Sequence, residues 1–207
     1  PAMRNYLHTP SISEFSVYAT TEPAAAARIP QVGRGGKQFG MEASSFQQLG
    51  ANSVVWGKAS YQNGKKYDVT WNETSDFLLL YPYVMGDAKG GDQNYESYRL
   101  DGGYSTRHGK TCYGVDLGYR TLSEYRDRDP RPNNTVADLY AQGGIGLNIW
   151  GSYSVALTAT AGKYKQTNEL AFYNELGTQM VYHLTGIGND FTRFSGQGKN
   201  CFYKGYS

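Results

Sequence analysis

The sequence predicts an all-β fold, an antiparallel up-and-down transmembrane β-barrel. Three observations carry that expectation. Long stretches alternate apolar and polar residues, helical periodicity is nearly absent, and short and long connections alternate along the chain. The segment TCYGVDLGYRT, residues 111–121, shows the alternation most clearly. Tyr113, Val115, Leu117 and Tyr119 form one face, and Cys112, Gly114, Asp116, Gly118 and Arg120 form the other, because side chains at i and i+2 of a strand share a face. The functional question is which way the apolar face turns. A soluble sandwich turns it inward to a core; an outer-membrane barrel turns it outward to lipid.

Taken in order, strands are expected at 12–20, 37–49, 53–62, 95–106, 111–122, 136–149 and 153–165. The best helical candidate is the alanine run at 24–27, which is short and lies between Pro23 and Pro30. Several strands exceed the ~5–6 residues usual in soluble sheets. They reach the ~9–11 residues that a tilted strand needs to cross a bilayer. Residues 50–52 (GAN), 107–110 (RHGK) and 150–152 (WGS) read as tight hairpin turns. The remaining connections, 21–36, 63–94, 123–135 and 166 onward, are long. Barrels of the outer membrane have this rhythm, with short periplasmic turns and long outer loops.

The strand faces agree. Strand 136–149 sets Ala137, Leu139, Ala141, Ile145, Leu147 and Ile149 against Asp138, Tyr140, Gln142, Gly144, Gly146 and Asn148. Strand 153–165 sets Tyr153, Val155, Leu157, Ala159 and Ala161 against Ser154, Thr158, Thr160 and Gly162. Strand 95–106 sets Tyr98, Leu100, Gly102 and Tyr104 against Arg99, Asp101 and Gly103. The expected lumen-facing side chains are therefore Arg99, Asp101, Asp116, Arg120, Asp138 and Gln142, with opposite charges close together as a wet lumen requires. A soluble antiparallel sheet shows the same alternation, so strand length and loop rhythm decide between the two. Tyr113 and Tyr153, beside short turns, fit an aromatic girdle; Tyr104 and Tyr119 are not clearly at its height.

Composition is compatible with this reading. The 207 residues suffice for one domain with a sizeable core, and they are read as one barrel segment, 1–207. Charged residues make up 18 % with a net charge of +2, which is no nucleic-acid footprint. A mean hydropathy of −0.60 resembles that of a soluble protein, but a polar lumen and polar loops dilute an apolar band. No run approaches the ~20 apolar residues of a spanning helix. Pro1 opens on polar sequence without a secretory signal, so the expectation is a cytosolic chain or a mature exported one. Cys112 and Cys201 lie far apart and show no disulfide framework; two buried or lumen-facing thiols are the simpler reading.

Four stretches carry a resemblance: SVVWGKASYQNGKK (53–66), WNETSDFLLLYPYVMGD (71–87), YRDRDPRPNNTVADL (125–139) and AGKYKQTNELAFYNELG (161–177). They resemble an uncharacterised family of outer-membrane β-barrel proteins from Bacteroidota, across most of the chain. The resemblance implies a barrel in the bacterial outer membrane, with outer-membrane lipid and other outer-membrane or surface proteins as partners. It implies no substrate, reaction, cofactor or catalytic residue. Members of that family are longer than this chain, and CFYKGYS (201–207) looks like the start of a further strand. Because single-chain barrels close with even strand numbers, the chain is expected to be the N-terminal part of a larger barrel.

Specific function is expected in the long connections. Segment 63–94 holds Trp71, Phe77, Tyr81 and Tyr83 with Glu73, Asp76, Asp87 and Asp92. Aromatic platforms beside carboxylates suit a sugar; Trp71, Tyr81, Tyr83, Asp87 and Asp92 are the candidate ligand residues. The plainer alternative is that these aromatics pack the loop onto the rim or plug the barrel. GDAKGGD (86–92) and EYRDRDP (124–130) lack EF-hand spacing, and Arg126 and Arg128 interleave the acids of the second, so internal salt bridges are expected there rather than a metal. The histidines His8, His108 and His183 have no marked serine partner, and GRGGKQ (33–38) lacks the phosphate-loop spacing. The expectation is a non-enzymatic barrel, a channel or an accessory component of a nutrient-uptake or surface assembly. The alternatives are an exported soluble β-sandwich that binds glycans and, more weakly, a barrel-embedded lipid enzyme with His183 as its base.

Overall fold

The alternating stretches become strands, and most run longer than the sequence predicts. The computed structural model describes residues 1–2, 4, 10–23, 29–150, 153–173, 180–186, 189–193 and 199–207. Its strands are β1 (Ile12–Glu22), β2 (Gly35–Leu49), β3 (Ser53–Val69), β4 (Met85–Gly86), β5 (Gly91–His108), β6 (Thr111–Tyr125), β7 (Arg131–Trp150), β8 (Tyr153–Ala171), β9 (Val181–Gly186), β10 (Asn189–Arg193) and β11 (Lys199–Tyr206). One short helix, α1 (Phe77–Leu80), lies between β3 and β4. The alanine run at 24–27, His8 and the turn residues Gly151 and Ser152 lie outside the described residues.

Eight strands make one antiparallel sheet in the order β1-β2-β3-β5-β6-β7-β8-β11, and β10-β9-β4 make a small second sheet. All seven expected strands belong to the large sheet. The eighth, β11, contains the stretch CFYKGY and pairs with β8 from Lys199↔Leu170 to Tyr206↔Lys163. The sheet is not closed: β1 and β11 are its two edges. This corrects the expectation of a closed barrel within these residues. A closed eight-stranded barrel has an interior just wide enough for its own side chains. Here the inner face also holds main chain, since Ser105 Oγ donates to Ala2 O and Asn134 Nδ2 donates to Glu73 O.

The loop rhythm holds with one correction. The expected long connection 123–135 is mostly strand, with β6 and β7 paired up to Tyr125↔Asn133 and only residues 126–130 joining them. The inward side chains Glu124 and Asn134 are buried there, so the strand ends are held rather than frayed. His183, expected in a loop, lies on β9 opposite Met85 of β4.

The inner face makes room for large rings with glycines. Directly across the register, Tyr18 faces Gly40, Trp56 faces Gly103, Tyr95 faces Gly64 and Tyr140 faces Gly118. In each pair the aromatic ring lies where a Cβ on the glycine would stand. Rings laid over glycines protect the backbone and bend the sheet without crowding its concave side. Gly118→Val is therefore expected to expel the Tyr140 ring, breaking its hydrogen bond to Asp101 Oδ1 at 3.1 Å. Overpacking of this kind costs about 1–3 kcal/mol, read as a lower unfolding midpoint than that of Gly143→Val, whose Cβ meets open space.

Candidate functional site

The faces of the sheet sort by charge. Between residues 112 and 119 of β6 the exposed positions are Tyr113, Val115, Leu117 and Tyr119, while Cys112, Gly114 and Gly118 are buried. Val115 is 53 %, Leu117 58 % and Leu157 73 % exposed. The apolar face thus turns away from the interior of the protein. The pairing carries this face across neighbouring strands: Val55↔Tyr104↔Val115, Leu100↔Tyr119↔Leu139 and Tyr113↔Ile145↔Leu157. Outward positions within 53–61 of β3, 98–106 of β5, 113–121 of β6, 137–149 of β7 and 153–161 of β8 carry no charged side chain. Above them charge begins, with Lys65 on β3, Glu96 on β5 and Lys163 on β8.

The inner face carries the opposite chemistry. Arg99 Nε donates to Asp101 Oδ2 at 2.7 Å and Nη2 donates to Oδ1 at 3.1 Å. Asp101 and Asp116 line a concavity of about 650 Å³ with Arg99, Lys58, Glu42 and Tyr140. Arg4 reaches the same concavity from the N-terminal segment and stacks 4.4 Å over the Trp56 ring. Of the expected lumen residues, Arg99, Asp101 and Asp116 therefore converge. Arg120 and Asp138 sit higher, 3.6 Å apart, and Gln142 Nε2 donates to Thr160 Oγ1 at 2.9 Å.

Segment 70–87 caps this interior. Arg120 grips Asp76 through both guanidinium nitrogens, at 3.1 and 2.5 Å, and Tyr164 OH donates to Asp76 Oδ2 at 3.0 Å. Asn134 and Asn168, side by side on β7 and β8, both donate to the main-chain oxygen of Glu73, and Gln166 Nε2 donates to Asn134 Oδ1 at 3.0 Å. At the centre, Arg126 Nη2 donates to Glu73 Oε1 at 2.6 Å, to Asp87 Oδ2 at 2.6 Å and to Pro130 O at 2.7 Å. All three charged side chains are buried. This corrects the expectation of salt bridges internal to 124–130: Arg126 reaches across to Glu73 and Asp87, and within the segment's neighbourhood Asp129 pairs with Arg131 at 2.7 Å.

Burial pushes the Glu73 carboxyl well above the ordinary carboxylate value, and its hydrogen bond with Asp87 adds to the shift against the pull of Arg126. Burial also opposes ionisation of Asp87. The hydrogen bond with Glu73 and the charge of Arg126 outweigh it and hold Asp87 below its ordinary value. The two carboxyls are thus driven apart, Glu73 toward its neutral form and Asp87 toward its charged form, with Arg126 as the counter-charge.

The expected ligand residues of this segment divide. Tyr81 and Tyr83 are exposed, and Tyr81 packs on Phe77 with ring centroids 5.6 Å apart. Trp71 packs on Tyr182 of β9 at 5.5 Å. Asp87 is committed to Arg126 and to the turn amides of Lys89 and Gly90, both at 2.8 Å. Asp92 pairs with Lys65 at 2.9 Å. The aromatics and carboxylates therefore do not form one joint sugar platform. The inner part of the segment is held by Arg120, Arg126, Asn134 and Asn168, while Tyr81 and Tyr83 stay exposed. Cys112 is buried on β6, Cys201 Sγ approaches Met85 Sδ at 3.5 Å, and no disulfide joins the two cysteines.

The amides Asn134, Gln166 and Asn168 were not singled out by sequence reading. Their signal was present: polar residues at inward parity near strand ends. The same holds for Lys163, Lys165 and Lys204, which stand at outward parity just beyond the charge-free zone.

No curated protein and no solved structure matches the chain. The chain matches the family of unknown function DUF6850 over residues 1–207 and belongs to that family.

Proposed function

We propose that the chain forms an arc of an outer-membrane β-barrel, its charge-free face against lipid and its charged face toward a lumen closed by segment 70–87. The observation that carries this reading is the sorting of charge. Five adjacent strands present spans of nine residues or more, enough to cross a bilayer, with every charged side chain of those spans turned inward. An apolar surface of this extent is a liability in water and the normal lining against hydrocarbon. Sheet edges cannot face lipid, so the reading requires further strands against β1 and β11.

Segment 70–87, held to the inner face by Arg120, Asn134 and Asn168, favours a sealed accessory barrel of a nutrient-uptake or surface assembly over an open channel. The role is non-enzymatic. A soluble glycan-binding sandwich would instead bury the apolar faces of two sheets against each other. The experiment is electrophoresis of native membranes with and without boiling, followed by planar-bilayer recording of the purified full-length protein. The reading expects a faster-migrating unboiled band and no steady conductance. Recovery in the soluble fraction with no mobility shift overturns the barrel. A large steady conductance overturns the seal alone.

A further inference from the structure

The outward face of β8 and β11 carries a lysine cluster that neither the lumen nor the cap explains. Lys165 and Lys204 are direct cross-strand partners, and Lys163 faces Tyr206 one pair further along on the same outward side. All three lysines are exposed. Like charges placed directly opposite each other on a sheet repel. Yet no carboxylate lies within salt-bridge distance of any of the three among the described residues. The Lys163 ammonium instead sits 5.9 Å from the Tyr206 ring centroid.

Position along the strand gives the cluster its meaning. Directly below it on β8 the outward side chains are Tyr153, Val155, Leu157, Ala159 and Ala161, an uninterrupted apolar track. The track and the cluster together match an amphiphile with an anionic head and hydrocarbon tails. The lysines lie toward the end of the sheet away from the tight turns. On the neighbouring strand β7 the outward register partners of Lys163 and Lys165 are Leu139 and Ala137, so the cluster is a local patch rather than a uniform belt. A phosphate suits it best, since it offers several acceptor oxygens and more than one charge to a set of ammonium donors.

We propose that Lys163, Lys165 and Lys204 form a headgroup site for a phosphate-bearing lipid whose acyl chains lie along the apolar outward track of β8. The site rests on the lipid-facing reading of that surface. The experiment reconstitutes the full-length protein into neutral phosphatidylcholine vesicles containing a small fraction of phosphatidic acid and measures which lipid remains bound after mild detergent extraction, by native mass spectrometry. Wild type is expected to retain phosphatidic acid over phosphatidylcholine by about tenfold, given the attraction of each basic residue to an anionic headgroup. The triple variant K163Q/K165Q/K204Q is expected to insert as well as wild type and to lose that preference. K110Q, which removes a cation at a tight turn on the opposite side, is expected to keep it. Insertion of wild type without preference overturns the site and leaves the barrel standing. Failure to insert overturns both. Equal displacement of the bound lipid by millimolar inorganic phosphate identifies a free-anion site and overturns the lipid assignment.

Discussion

Leu117→Arg is expected to cripple insertion into a bilayer, whereas Asp116→Asn, one residue away, is expected to be nearly silent. Leu117 is flanked in register by Gly102 and Ala141 on the same outward face, so a new guanidinium finds no carboxylate beside it. A cation near the middle of a lipid-facing surface costs about 2–4 kcal/mol, enough to lower the folding equilibrium constant by a factor of ~30 or more. Asp116 turns into the polar concavity, where an amide keeps the acceptor oxygen and removes only a charge. The readout is the heat-shifted band after refolding into vesicles across a urea series. Equal folding of L117R and wild type would remove the lipid-facing reading of β6. In a water-exposed sheet the substitution would fall within the ~0.5 kcal/mol typical of surface changes.

Arg126→Met is the second large effect. The arginine is the counter-charge of a fully desolvated carboxylate pair, and deleting one partner of a buried ion pair costs about 3–5 kcal/mol. The damage is expected to centre on segment 70–87, read as protease cleavage within it before the strands unfold. Adding Asp87→Asn should recover much of the loss, because the amide oxygen still accepts from Lys89 N and Gly90 N while the stranded charge is gone. The same cluster sets a pH dependence. Glu73 holds its proton above the ordinary value, so its contribution is complete below pH ~4.5 and is lost as pH rises through its raised value. Asp87 is held low, so its contribution is present above ~4 and lost as pH falls through its lowered value. Glu73→Gln is expected to abolish the alkaline loss and retain the acid one. An unchanged alkaline profile in E73Q would show that Glu73 does not carry the proton.

The strands were legible in the sequence because their period of two is strong and their turns carry Gly, Asn and Ser. Tyr113 through Tyr119 announced both faces of β6, although not which face was buried. That decision belongs to tertiary structure. It turns on whether Asn134 and Asn168 find partners inside: both donate to Glu73 O, 61 and 95 residues away along the chain, and Gln166 in turn donates to Asn134 Oδ1. The same distance hid the Arg126 cluster. Arg126 was read against its neighbours Asp127 and Asp129, whereas burial rewarded the more remote Glu73 and Asp87. The long connection 123–135 reads as loop by its polar composition, yet Asn134 donates to Glu73 O and Glu124 accepts from Lys66 Nζ of β3, so its inward residues remain in register. Closure was not legible at all, because it depends on how much chain the concave face must hold.

The central claim is that the exposed apolar face of the sheet meets hydrocarbon. It is tested most directly by fluorophores placed on single cysteines at positions 115, 116 and 117 of β6 and 155, 156 and 157 of β8, in a chain with Cys112 and Cys201 replaced by serine, and exposed to brominated acyl chains. The account predicts strong quenching by the lipid at 115, 117, 155 and 157, and little at 116 and 156. Quenching that is absent throughout, with all six sites open to an aqueous quencher, would contradict it.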